Sequence, residues 1–143
     1  MKSPGLIACL IVLACMFSCS RSAEPVEYGK DDCSYCKMTI VDKRFAAEMI
    51  DKKGRVYKFD DIGCMMHYLA ENKLPETDMK FFVSDYLQKE KGFLNAVGAV
   101  YIQNDFFKSP MGGNTGAFAN APEANILKDS LTATDVHWNE LKR

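Results

Sequence analysis

The sequence is poor in histidine and tryptophan, with two and one in 143 residues, and it has no surplus of positive charge. Its 18 Lys and Arg stand against 19 Asp and Glu, so a basic face for nucleic acid is missing. The apolar run Leu6–Phe17 is 12 residues, short of the roughly 20 that a membrane-spanning helix needs. No nucleophile elbow and no phosphate-cradling glycine loop occur. Neither His67 nor His137 has an Asn or Asp placed by spacing to orient it, which leaves cysteine-based catalysis without its supporting groups. The reading is therefore of a protein that is not an enzyme.

What the chain does have is sulfur: six cysteines and eight methionines. Three of the cysteines fall in the first 19 residues, "MKSPGLIACLIVLACMFSC". One Lys, then a short uncharged run, then small and polar residues read as an export signal. The stretch Met16-Phe17-Ser18-Cys19-Ser20 resembles a bacterial lipoprotein signal, in which the cysteine after a small residue is lipidated. Cys19 is favoured over Cys15, which would leave a very short signal. The expected organisation is a leader at 1–18, a tether at 19–30, and one domain at 31–143 with halves at about 31–90 and 91–143. Lipid at Cys19 would hold the domain against a membrane without spanning it. Leaving out Lys2 with the leader leaves 17 basic against 19 acidic residues, a formal charge of −2.

Strand-like segments at Phe45–Ile50 and Val56–Asp60 flank Asp51-Lys52-Lys53-Gly54, a hairpin loop with Gly available for positive φ. A helix follows, capped by Asp61, with Ile62, Met65, Met66 and Leu69 on one stripe and Pro75 as its stop. Phe81–Leu87 and Ala96–Gln103 are further expected strands, and Met38–Val41 has a β-rich composition. The Gly- and Pro-rich "KSPMGGNTGAF" is expected to lead into a short helix. Ala121-Pro122-Glu123 starts another helix, and "TATDVHWNEL" supplies a last strand. The class is α+β with antiparallel pairing, and the order of elements carries a loose internal echo.

Past the leader remain Cys33, Cys36 and Cys64, an odd number that cannot all pair within one chain. Cys36 and Met38 stand two apart at the expected start of a strand, where their side chains would share a face. A thiolate and a thioether together suit a soft monovalent ion, above all Cu(I). Cys64 and His67 stand at i, i+3 on the helix, roughly opposite its apolar stripe. With Cys33 and Cys36 they also have the spacing of a zinc knuckle feeding a helix, a treble-clef-like binding module. A thiol redox role is a third reading. It is weakened because this Cys-x-x-Cys runs into "MTIV" rather than opening a helix that would activate its first thiol. Asp60 and Asp61 read as a solvated strand end and a helix cap.

The blocks "CSYCKMTI", "FAAEMIDKKGRVYKFDDIGCMMHYL", "FFVSDY", "FLNAVGAVYI" and "SPMGGNTGAFAN", with a late Trp, resemble in order those of the NosL family over about residues 31–141. NosL proteins are periplasm-facing lipoproteins that bind Cu(I) and help deliver it to nitrous oxide reductase. The resemblance implies two similar ββαβ halves, distantly like part of organomercurial lyase. It also implies a ligand set of Cys thiolate, Met thioether and imidazole. On this chain the thiolate falls on Cys36 and the thioether on Met38, with Met111 of "SPMGG" as a second thioether and His67 or His137 as nitrogen donor. Cys64 is a thiol that many members lack. The expectation is a membrane-anchored Cu(I) metallochaperone with metal residues Cys36, Met38 and Met111, and with Cys33, Cys64 and His67 as further candidates. A zinc-stabilised module on Cys33, Cys36, Cys64 and His67 is the alternative.

Overall fold

The computed structural model describes residues 22–142. The expected leader at 1–18 with Cys15, and the expected lipidation site Cys19, lie outside the described residues. Strands β1 (Ala47–Ile50) and β2 (Val56–Phe59) pair as an antiparallel hairpin. Asp51 builds its turn by accepting the backbone N–H groups of Lys53 and Arg55 at 2.8 and 2.9 Å. Gly54 at φ +83° takes the left-handed position, where a side chain would be strained.

Helix α1 (Ile62–Glu71) follows at once, with Asp61 at its N-cap. The expected stripe of Ile62, Met65, Met66 and Leu69 is buried and faces β1 and β2. The helix closes at Glu71, and Pro75 instead opens a single 3-10 turn at Glu76–Asp78. β3 (Lys80–Ser84) then pairs with the free edge of β1, and β4 (Phe93–Asn95) adds outside β3, for a sheet order β2-β1-β3-β4.

The second half repeats the scheme. β5 (Val100–Gln103) is central, β6 (Thr115–Phe118) forms its hairpin, α2 (Ala121–Leu131) follows, and β7 (Thr134–Val136) returns to the other edge of β5. α2 is capped by Asn120, with Pro122 in its first turn. Each half is thus a ββαβ unit whose first strand ends in the middle, as the echo in the sequence suggested.

Several expected elements differ. Met38–Val41 is no strand; it makes one isolated bridge, Asp32 to Thr39. Lys37 at φ +66° turns the chain back on itself, so the shared-face argument for Cys36 and Met38 fails. β3 stops at Ser84 because the buried Asp85 carboxylate accepts the N–H groups of Leu87, Lys89 and Glu90 at 2.8–3.2 Å. Within Ala96–Gln103, Ala96–Gly98 forms a 3-10 turn before β5 begins. The "KSPMGGNTGAF" loop leads into β6, not into a helix. Ser109 and Asn114 close it reciprocally: the Ser109 N–H donates to Asn114 Oδ1 at 3.1 Å and the Asn114 N–H to Ser109 Oγ at 2.8 Å. Gly116 on β6 sits in a tight place, where a Cβ would lie 3.1 Å from Phe118 and 3.3 Å from Phe107.

One segment ties the halves together, and another covers the first sheet. Trp138, beyond β7, stacks at 5.2 Å on Phe81 of the first sheet and at 6.5 Å on Tyr101 of the second. At the other end, residues 24–30, read from composition as tether, are docked on the first sheet. Val26 is buried, and the Lys58 ammonium donates to the Pro25 carbonyl at 2.9 Å and to Asp31 at 2.8 Å.

Candidate metal centre

Cys33 to Lys37 is a tight turn held by its own backbone. The Lys37 N–H donates to Cys33 O at 3.1 Å, and the Cys33 N–H donates to Met38 O at 2.8 Å. A third bond, Ser34 N–H to Lys58 O at 2.7 Å, pins the turn to the last residues of β2. β2 then delivers Asp60, and the first turn of α1 delivers Cys64. The sulfurs of Cys33, Cys36 and Cys64 and a carboxylate oxygen of Asp60 converge, all within 4.8 Å of one another. A tetrahedron with metal–sulfur bonds of about 2.3 Å has edges of about 3.8 Å, so a small contraction would close these four donors on one ion.

Burial grades the four. Cys33, Asp60 and Cys64 are sealed from solvent, and Cys36 is half-buried. Only Cys36 therefore offers its sulfur to the outside. Its Sγ–H donates to Asp60 Oδ2 at 3.3 Å, while Asp60 Oδ1, equally buried, has no partner. A buried acceptor without a donor is unfavourable, and a cation among the sulfurs would satisfy it.

The thiols do not behave alike. A hydrogen bond from the Cys64 thiol, opposed by burial and aided by the backbone N–H groups of Asp60, Cys36 and Tyr35, brings Cys33 down to about 6. Burial pushes Cys36 up to about 11, with Cys33 and Asp60 adding to the rise. Cys64 is driven up further still, first by its bond to Cys33 and then by burial and Asp60. Cys36 and Cys64 are thus pushed toward the neutral thiol, and loading an ion on their sulfurs releases protons.

The residues expected from sequence divide into three groups. Cys33, Cys36 and Cys64 come together. His67 is exposed, its ring stacked 5.5 Å from Tyr35, and it is not one of the converging donors. Cys64, three residues earlier, belongs to the same buried cluster as Met65 and Met66, because the Cys33–Lys37 turn covers it. Cys64 thus stands away from the helix's apolar stripe and is buried by another part of the chain, while His67 stays exposed. Met38 and Met111 stand outside the four converging donors, 58% and 45% exposed. Met38 is held through its carbonyl bond to Cys33, and Met111 donates its N–H to Asp61 Oδ2 at 2.9 Å. Asp60 is the residue that reading the sequence missed. It is 3% exposed, not a solvated strand end. The one available signal was its place four residues before Cys64, where a strand hands over to a capped helix.

A sequence model of the NosL family matches residues 25–140. The chain belongs to the NosL family. The match starts within the docked segment and ends past Trp138, so it spans both ββαβ halves. Among solved structures, the copper chaperone NosL from Shewanella denitrificans shares the NosL fold, with a TM-score of 0.70 at 17% identity over 84% of this chain and 95% of that one. Among curated proteins none is significantly similar to this NosL-family chain.

Proposed function

We propose that this protein carries Cu(I) and passes it to a copper-requiring apoprotein. Membership of the family supports the reading, and one observation carries it. Three cysteine sulfurs from two separate parts of the chain converge, with a single one of them, Cys36, only half-buried. Soft sulfur donors select Cu(I). An accessible Cys36 sulfur, with the exposed thioethers of Met38 and Met111 as neutral auxiliary donors, allows an incoming ligand to add before an outgoing one leaves. The chemistry is exchange, not catalysis. The recipient is nitrous oxide reductase, in keeping with the family resemblance. Lipid at Cys19 holds the domain to a membrane on its periplasmic side.

Competition against a chromophoric Cu(I) chelator tests this directly. Cys36→Ser should lose most of the Cu(I) affinity, and retention of wild-type affinity would overturn the assignment.

A second reading concerns zinc. The four converging donors are three sulfurs and one oxygen, a set that suits tetrahedral Zn(II), with Asp60 in the place first given to His67. Metal analysis of the reduced, purified protein distinguishes the two: tightly held zinc, removed only with loss of fold, supports the zinc module.

A further inference from the structure

Glu48 lies in the middle of β1, the central strand of the first sheet, and is 0% exposed. One carboxyl oxygen, Oε1, accepts the backbone N–H of Glu24 at 2.9 Å. The other, Oε2, has no partner. What seals it is the N-terminal segment, docked through Val26 and through the Lys58 ammonium on the Pro25 carbonyl. The charged neighbours are few. Lys58 stands directly across on β2, itself bonded to Asp31. The facing residue on β3 is Phe82, and the segment contributes Glu24 and the Tyr28 phenol. Burying a carboxylate with half of its acceptor capacity unused is unfavourable, and opening the segment to water removes that cost.

We propose that residues 24–28 form a strap that is locked down while Glu48 is protonated and loosened when Glu48 ionises. Burial raises the Glu48 carboxyl to about 7, against smaller opposing effects from the Glu24 N–H and Lys58. With the strap open, Glu48 is hydrated and titrates near the ordinary 4.5. A group raised in the closed form stabilises that form fully below 4.5 and loses its contribution as pH rises to 7. Above pH 7 the strap equilibrium is flat again.

The strap is also a measure of reach. Counting from the anchor proposed at Cys19, a docked strap leaves residues 20–23 free, at most about 14 Å of chain at 3.6 Å per residue. A loosened strap frees residues 20–28, about 32 Å. Ionisation of one side chain would then more than double the distance over which the metal centre can range from its membrane. This consequence rests on the anchor reading; the strap itself does not.

Amide hydrogen exchange of the full mature chain tests the strap, with the Glu24 N–H as reporter. After correction for intrinsic exchange, its protection should fall some tens-fold between pH 5 and pH 7.5. Glu48→Gln keeps an acceptor and removes the titration, so its protection should not vary with pH. A wild type with constant protection, or a Gln variant with the wild-type pH dependence, would overturn the proposal. The Glu48 carboxyl ¹³C shift gives a readout that needs no variant. Its titration must run in parallel with Glu24 exchange, and titration without any change in exchange rejects the strap. Cu(I) affinity decides none of these outcomes, so they stand apart from the metal reading.

Discussion

Replacing Asp60 by Asn should change stability in opposite directions with and without metal. In the metal-free protein one buried Asp60 oxygen has no donor, a deficit on the order of 1–3 kcal/mol. Asn keeps the shape, removes the unpaired oxygen and supplies an NH₂ that can donate to the surrounding sulfurs. The metal-free variant should therefore be more stable than wild type by about 1–2 kcal/mol, a rise in Tm of roughly 3–8 °C for a domain of this size. With zinc the sign reverses. Loss of a fourth ligand should weaken zinc at least about a hundredfold, which removes about 2.7 kcal/mol or more of the stabilisation that bound metal confers, more than the metal-free gain. Cu(I), held by sulfur, should change little. Paired thermal melts after exhaustive chelation and after addition of excess zinc read both effects on one sample. A metal-free Asn variant that melts below wild type would refute the reasoning, since the empty site would then have no orphaned acceptor to relieve. An equal rise in both melts would remove Asp60 from the ligand set.

Asp61→Ala should cost about 2 kcal/mol in chemical denaturation, because the buried carboxylate accepts from both Cys64 and Met111 and its loss orphans two backbone donors. His67→Ala should leave zinc and Cu(I) affinities within about twofold and stability within about 0.5 kcal/mol, as expected for an exposed residue; a tenfold loss of either metal would place the imidazole in the site after all. Met111→Ala should hardly alter equilibrium Cu(I) affinity but should slow transfer to a chelator in stopped flow. Unchanged transfer would limit Met111 to its backbone contact.

The repeated ββαβ scheme could be seen in sequence wherever local chemistry agrees with the global fold. Asp51 through Gly54 builds the hairpin turn, Asp61 and Asn120 cap helices by short-range bonds, and the stripe from Ile62 to Leu69 has helical spacing. What stayed hidden depends on contacts distant in sequence. Met38–Val41 is β-rich in composition, but Lys37 in the left-handed region and the Cys33–Met38 bond fold it against its own turn. The run after Met111 contains two glycines and an asparagine, which read as a loop, yet Gly116 is a strand residue set closely against Phe107 and Phe118. In the site, the three thiols could be named because cysteine is chemically conspicuous. Asp60 could not, since an aspartate at the end of a strand looks solvated once its neighbour takes the role of helix cap. The burial of Cys64 required knowing that the Cys33–Lys37 turn lies over the first turn of the helix.

Adjacent aspartates at the head of α1 divide their attention between two parts of the molecule. Asp60 looks into the sulfur cluster, and Asp61 grips Met111 on the loop of the other half. A peptide bond separates them, so a backbone shift at Asp60 on metal loading would be felt at Asp61 and at its bond to that loop. Full and empty forms would then differ on the outside as well as within, and a receiving protein could tell a laden courier from a spent one by touch alone.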